Sequence, residues 1–483
     1  MIGITSYGAY IPWYRIDRKV IFQQLGWFNM ANAAVARGEK AVASYDEDTL
    51  TMAYTAAADC MGDRRRDDVD GLYLASMSLP FGQRQNAVIV SDALDFRSSI
   101  RSADFTGSLK SGTTALLSGI DAVGSGSSTS LMVCAADCRV GKPGSSQEYT
   151  YGDGAAALLL GNEGVIAEFK GSFSVSHDFI DSRQLTTEKF EHKWEDRWVR
   201  EEGYLKIIPE AALGLARKYN LQISDFAKII IACPVAGALK ALTKMFGAQP
   251  EQIQDNFVAK VGDTGSALSL MMLVAALEES NAGDKILVLS FGNGSDALYF
   301  EVTEEIDKVK PHINGIKGHL DRKTDLTTYG KYQVFQDIIP IEVGIRGEAI
   351  APTAMTVLWQ QGKTISTLQG VRCTVCGTPQ YPKHAVCVNP ACGAIDKMEP
   401  YRFSDKVGTV VSFTGDNLAF SWDPPQIYGL VDFEEGGRLF LDFTDCTLDT
   451  VSVGLPVRMT FRRKYEDKER GHNGYYWKAT PVS

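Results

Sequence analysis

Two distant stretches of the chain follow one plan, and that plan limits the fold more than any other feature. The first reads "SGTTALLSGIDAVGSGSSTSLMVCAADC" and then "YGDGAAALLLG"; the second reads "TGSALSLMMLVAALEESNAGDKILVLSFG" and then "NGSDALYFEV". Each is a small-residue turn, an apolar helix, a short Gly-rich link, a buried strand and a hairpin strand. Duplication of one α/β unit is the simplest account. A helix with no polar face must be covered on every side, so the two helices are expected between two sheets.

At 483 residues the chain is too long for one core and suggests two to four domains. A hydrophobic content of 45% with 22% charged residues describes an ordinary globular protein. The net charge of −10 argues against a nucleic-acid partner, because counterion release needs clustered Lys and Arg. Arg64 to Arg66 are balanced by Asp67 and Asp68 and read as a solvated turn. The opening "MIGITSYGAYIP" alternates into a strand without a basic region and apolar core, so no export signal is expected. No stretch has the length of apolar sequence that a membrane span requires.

After about residue 345 the texture changes. "GEAIAPTAMTVLWQQGKTISTLQG" reads as a docking helix, and from about 405 short alternating strands separated by turn residues predict a small β-barrel. Between them Cys373-x2-Cys376 and Cys387-x4-Cys392 form two loops, each offering two thiolates to one tetrahedral ion. Zn²⁺ is the default for four sulfurs, and a closed four-sulfur site leaves no open position, so its role is structural. His384 is not needed as a ligand because the cysteines complete the shell. The other cysteines, Cys60, Cys134, Cys138, Cys233 and Cys446, are scattered, which suits a reducing cytoplasm rather than a disulfide scaffold.

"GAYIPWYRI", "GEKAVASYDEDTLTMA", "ADCRVGKPGSSQEYTYGDGAAALLLG", "VGDTGSALSL" and "LSFGNGSDA" carry a resemblance over residues 1 to about 345. That region resembles the 3-hydroxy-3-methylglutaryl-CoA synthase family of the thiolase superfamily, in its archaeal form. "RCTVCG", "KVGTVVSFT" and "DPPQIYGLVDFEEGGRL" make residues 350 to 483 similar to a partner family joining a rubredoxin-like zinc ribbon to an OB-fold. In archaea such partners sit beside thiolase and synthase subunits and help form a shared coenzyme A site. The resemblance implies a five-layer αβαβα thiolase-like α/β fold, usually a homodimer, here fused to a zinc ribbon and an OB-fold barrel. The expected domains are 1–165 and 166–345 for the two thiolase-like halves, 346–402 for docking helix and ribbon, and 403–483 for the OB-fold.

The same resemblance implies that four catalytic positions have changed. The family's acyl-carrying cysteine falls on Leu109, its glutamate on Met77, its histidine on Ala232, and the asparagine of its Gly-Asn-Thr turn on Asp263. Leucine cannot carry an acyl group, so thioester exchange through an acyl-enzyme is expected to be absent. Enolate formation from an acyl-CoA needs only a base and an oxyanion site.

Asp263, among Leu109, Met77 and Ala232, reads either as a poorly solvated base or as a cap of the helix beginning near Ser266. Tyr149, Tyr151 and Tyr329 are candidate hydroxyl donors or packed aromatics. Cys233 is a displaced nucleophile or a small buried cysteine. Lys110 and Lys142 are candidates for CoA phosphates or solvated surface groups, and Gly292 and Gly294 form the glycine turn of "FGNGSD". Three functions are compatible with these residues. One is a cysteine-independent aldolase or retro-aldolase acting on a CoA thioester. Another is a non-catalytic acyl-CoA-binding scaffold, paired with itself or with an active thiolase. The last is a divergent synthase-like acyltransferase using a displaced nucleophile.

Overall fold

The computed structural model describes residues 1–347 and 352–482. The chain divides into two compact units. The first comprises residues 1–44, 52–91 and 96–336; the second comprises 45–51, 92–95 and 337–483.

In the first unit nine strands form one mixed sheet. They are β1 (Gly3–Tyr10), β2 (Gly71–Ala75), β3 (Arg101–Phe105), β4 (Ser130–Asp137), β5 (Gly154–Gly161), β6 (Ala167–Ser176), β7 (Lys228–Ile231), β8 (Lys285–Leu289) and β9 (Gly294–Val302). Their order is β7-β8-β9-β6-β1-β5-β4-β2-β3. The two repeats supply the two wings, and they join where Gly3 and Ile4 pair with Glu168 and Ala167. Two sheets were expected; this short pairing makes them one continuous ladder.

The apolar helices of the repeats are α2 (Ser111–Gly124) and α5 (Leu268–Glu279). Every residue of α5 from Leu268 to Leu277 is buried. Both helices share one core with β4 and β5 from one wing and β7, β8 and β9 from the other. Close packing depends on small residues: a Cβ on Gly119 would lie 2.7 Å from Leu160. The outer face of the second wing carries α3 (Leu205–Tyr219) and α4 (Ala236–Phe246), which pack on Ile229, Ile231, Leu287 and Leu289. On the first wing α1 (Thr49–Met61) crosses β1 so closely that a Cβ on Gly8 would lie 2.3 Å from the Cys60 nitrogen. Strands buried on both faces explain the continuous apolar runs "KIII" and "KILVL". The layers follow the αβαβα thiolase-like order.

In the second unit β10 (Gln369–Cys373) pairs with β11 (Pro379–Gln380) and β12 (Met398–Arg402) in a small sheet. Five antiparallel strands, β13 (Val407–Asp416), β14 (Gln426–Phe433), β15 (Arg438–Asp442), β16 (Pro456–Asp467) and β17 (His472–Pro481), form the OB-fold in the order β15-β14-β13-β16-β17. The Thr444 N–H donates to the Ala479 carbonyl at 2.9 Å and brings the end of β15 onto β17, closing the barrel. Of the expected docking helix, residues 348–351 lie outside the described residues. The chain beyond them winds into two short helices, Met355–Gln360 and Gly362–Ser366, rather than one.

The discontinuity of this unit has a charged cause. Arg462 on β16 is fully buried and donates to Glu47 at 2.7 Å and to Asp445 at 2.7 Å. Lys478 on β17, also buried, lies 2.7 Å from Asp46 and 3.0 Å from the Tyr45 hydroxyl. Tyr475 donates to Asp48 at 2.8 Å. Residues 45–51 are therefore held in this unit by ion pairs in a dry environment. Removing one partner leaves buried charges uncompensated, at a cost of about 3–5 kcal/mol. Arg462→Met is expected to destabilise the second unit by that amount in urea unfolding followed by circular dichroism; an unchanged midpoint would show that the cluster does not hold the segment.

Candidate functional site

A cavity of about 1140 Å³ opens in the first unit. Its walls include Leu109, Arg139, Tyr151, Asp181, Glu191, Tyr204 and Asp263. Behind it lies a void of about 20 Å³ whose lining shares Leu109, Tyr204, Pro234 and Asp263 with the cavity and adds Ala232 and Phe291. That volume suits a single water.

Leu109 lies just before α2, the helix of the first repeat. Its turn is held by Ser108, whose hydroxyl donates to the Gly292 carbonyl at 2.6 Å. A Cβ at Gly292 would sit 2.7 Å from the Lys110 nitrogen and 2.8 Å from the Leu109 nitrogen, so the close approach requires glycine. Gly292 thus supports the Leu109 turn, Gly294 packs instead against Val175 and Ser176, and neither lines the cavity. Structure and sequence agree in bringing Leu109, Ala232 and Asp263 to one place. Met77 is not among the lining residues of the cavity or the void. Its N–H donates to Asp137 at 2.7 Å.

Asp137 closes β4 and organises this end of the sheet. One carboxylate oxygen accepts from the Ser76 hydroxyl, the Met77 N–H and the Ser78 hydroxyl, at 2.7 to 2.9 Å. The other accepts from the N–H and hydroxyl of Ser266, at 2.7 and 2.8 Å. The loop after β2, the end of β4 and the turn leading to α5 are thereby fixed together.

Asp263 does not stand in the apolar surroundings expected of it. Its carboxylate lies 2.8 Å from the Arg139 guanidinium and accepts the Gly265 N–H at 3.0 Å. Capping and ion pairing occupy both oxygens. Arg139 also donates to the Asp263 carbonyl at 3.2 Å, lies 3.5 Å from Glu191, and stacks 4.0 Å from the Tyr151 ring centroid. Burial opposes its charge, but Asp263 and Glu191 hold the guanidinium well above its ordinary value. Tyr151 donates its hydroxyl to Glu191 at 2.7 Å, and burial pushes that phenol well up.

Two groups of this site have freer chemistry. Asp181 is buried, and among the described residues its carboxylate accepts only backbone N–H of its own turn and has no ion-pair partner. Burial raises its pKa above the ordinary carboxylate range. Tyr204 ends a wide turn of π type (Val199–Tyr204) that runs into α3, a winding often found at functional sites. Its hydroxyl has no hydrogen-bond partner among the described residues. Burial, then Cys233, Asp263 and Asp181, keep its pKa well above the ordinary phenol value, so it remains a donor.

The remaining sequence candidates lie elsewhere. Tyr149 is buried outside the cavity wall, and Tyr329 donates to Glu148 at 2.7 Å in a separate buried network. Cys233 is fully buried in the outer core of the second wing and lines neither the cavity nor the void, and burial pushes its thiol up to about 12, against the thiolate form. Lys110 is paired with Asp296 at 3.0 Å, and Lys142 is exposed outside the cavity. The cations of the cavity are others: Arg37, Lys240 and Lys244 are exposed in its lining and make no ion pair among the described residues. Lys240 and Lys244 stand one turn apart on α4.

Sequence reasoning missed Arg139, Asp181, Glu191 and Tyr204. Arg139 had a visible signal, a charged residue two positions beyond an apolar strand. Asp181 and Glu191 lie in a long irregular stretch where pattern carries little, and Tyr204 lies in the helical turn that precedes α3.

In the second unit the sulfurs of Cys373, Cys376, Cys387 and Cys392 lie within 4.8 Å of one another, with Cys373 to Cys392 at 3.8 Å and Cys376 to Cys387 at 3.5 Å. Tetrahedral Zn–S bonds of about 2.3 Å place sulfurs about 3.8 Å apart, so the donors fit. His384 is exposed and outside this cluster.

Comparison with known proteins now adds to the geometry. Residues 401–462 match the family model described as ChsH2, C-terminal OB-fold domain. The hydroxymethylglutaryl-CoA synthase of Methanopyrus kandleri is 32% identical over 337 residues, covering 68% of this chain and 96% of that protein. The corresponding enzyme of Methanocaldococcus jannaschii is 31% identical over 344 residues, covering 69% and 99%. Among solved structures, an HMG-CoA synthase complexed with CoA aligns at a TM-score of 0.62 with 19% identity, over 73% of this chain and 95% of that one.

Proposed function

Because the chain belongs to the hydroxymethylglutaryl-CoA synthase family of acyl-CoA condensing enzymes, we propose that it makes or breaks a carbon–carbon bond beside a CoA thioester without forming an acyl-enzyme. The observation that carries this is Leu109. An apolar side chain occupies the N-terminus of the buried helix, in the cavity wall, where a nucleophile would have to stand.

The chemistry left to the site is aldol addition or its reversal. A carboxylate takes the α-proton of the thioester, and negative charge develops on the thioester oxygen. The enolate carbon attacks an aldehyde or ketone carbonyl, and the resulting alkoxide takes up a proton. Asp181 is the better base, being buried, without an ion-pair partner among the described residues and with its carboxyl pushed above the ordinary range by burial. Asp263 is held by Arg139. Tyr204 suits the hydrogen-bond donor to developing oxygen charge.

Heavy-water exchange of the α-protons of butyryl-CoA tests this without knowledge of the carbonyl partner. Exchange by the parent is expected to fall about 10² to 10⁴-fold in Asp181→Asn, and less in Asp263→Asn. Undiminished exchange in Asp181→Asn would remove that residue as the base.

A second reading, a non-catalytic acyl-CoA-binding scaffold, is favoured by the 20 Å³ void behind Leu109, too small for a reacting carbonyl. No exchange by the parent would support it. Both readings need CoA binding, for which Arg37, Lys240 and Lys244 are the candidate phosphate contacts. Changing Lys240 and Lys244 together to Gln is expected to weaken CoA by about tenfold or more in calorimetry and to flatten its salt dependence; unchanged affinity would move the phosphates elsewhere.

The four-cysteine cluster supports structural zinc and reduced thiolates fit a cytoplasmic setting; a homodimer follows from the family resemblance alone. One zinc per chain is expected by metal analysis of natively purified protein, and Cys376→Ser should lose it and unfold the ribbon. Protein free of zinc would remove the assignment. Among the described residues no helix is long and apolar enough to cross a membrane.

A further inference from the structure

Charge is distributed unevenly in the cavity. The cations without partners among the described residues, Arg37, Lys240 and Lys244, are exposed to solvent. The part that adjoins the void behind Leu109 carries a cluster of carboxylates instead, while Arg18, buried elsewhere in the lining, donates to the Arg37 and Val258 carbonyls and is remote from that cluster. Asp263 touches Arg139, Arg139 touches Glu191, and Asp181 stands close enough to feel both Glu191 and Arg139. Lys193, also in the lining, is paired with Asp196 at 2.7 Å and adds no free charge.

One guanidinium therefore faces three carboxylates. Asp263 and Glu191 alone already outnumber it, so the inner end is acidic whatever the protonation of Asp181. The arrangement is also rigid. Arg139 is anchored by both its Asp263 contacts and by stacking on Tyr151, which bonds Glu191. It is not free to swing toward a substrate anion.

Resting on the reading of this cavity as a CoA-thioester site, we propose that it selects thioesters whose acyl group is uncharged and rejects those ending in a carboxylate. A carboxylate carried on the acyl chain would be brought, desolvated, against Asp181, Glu191 and Asp263 with no free cation to meet it. Buried like charges repel far more strongly than exposed ones, because little solvent screens them. Discrimination here works by a built-in repulsion at the acyl end, while the attraction for the common CoA portion is unchanged.

Butyryl-CoA and succinyl-CoA have acyl chains of four carbons and differ by a terminal carboxylate, so they separate charge from length. Calorimetric titration of the full-length protein is expected to give at least about tenfold tighter binding for butyryl-CoA, with free CoA as reference. Asp181→Asn and Glu191→Gln, measured separately, should each narrow that ratio by weakening the penalty on succinyl-CoA alone. Free CoA and both thioesters binding with equal affinity, or succinyl-CoA binding tighter, would overturn the selectivity and leave the CoA reading standing. Failure of free CoA to bind would instead overturn the reading on which the selectivity rests. A ratio unmoved in both variants would overturn the assignment of the repulsion to these carboxylates.

Discussion

One buried carboxylate holds the architecture of the site. Asp137 accepts five hydrogen bonds, from Ser76, Met77, Ser78 and twice from Ser266. A carboxylate out of water is costly unless its oxygens are fully bonded, and here the donors come from separate segments. The charge is tolerable only when those segments meet. Where they meet, the turn before α5 places Asp263 in the cavity wall, and a Cβ on Gly265 would lie 2.3 Å from Asp137 itself. The geometry of Asp263, and hence of its partner Arg139, depends on that knot.

The second dependency is the turn that leads into α2 at the cavity wall. Leu109 stands just before α2 on a turn that the Ser108 contact with Gly292 holds in place. The neighbouring wall is acidic, with Asp263, Glu191 and Asp181 around the single Arg139 guanidinium. Arg139 neutralises part of that charge and is immobilised by doing so. The result is a site whose polar groups mostly bond one another, with Asp181 and Tyr204 as the exceptions open to a substrate.

In the second unit, charge has a structural role of another kind. Residues 45–51 bring Asp46, Glu47 and Asp48 to Arg462, Lys478 and Tyr475 on the barrel strands. Buried ion pairs add little net stability compared with apolar packing, but they are intolerant of substitution and so specify which segment is held. The four cysteines give the neighbouring ribbon a comparable constraint in place of an apolar core.

Much of this was legible in the chain itself. Apolar helices without a polar face had to be enclosed, so the duplicated unit implied the layered core, and the spacing of Cys373, Cys376, Cys387 and Cys392 implied one four-sulfur site. Local periodicity and short spacings carry such information because a helix, strand or knuckle is formed by neighbours in sequence. Leu109, Ala232 and Asp263 could be assigned to one place because the resemblance carried by their flanking motifs lays them on the family's catalytic positions. Tertiary structure alone decided that Arg139 pairs with Asp263, that Asp181 and Tyr204 reach the same cavity, that Lys110 is paired with Asp296, and that residues 45–51 belong with the barrel. Each of these is an encounter between residues far apart in sequence. No local pattern encodes such a meeting, because the electrostatic environment of a side chain exists only once the distant segments have packed.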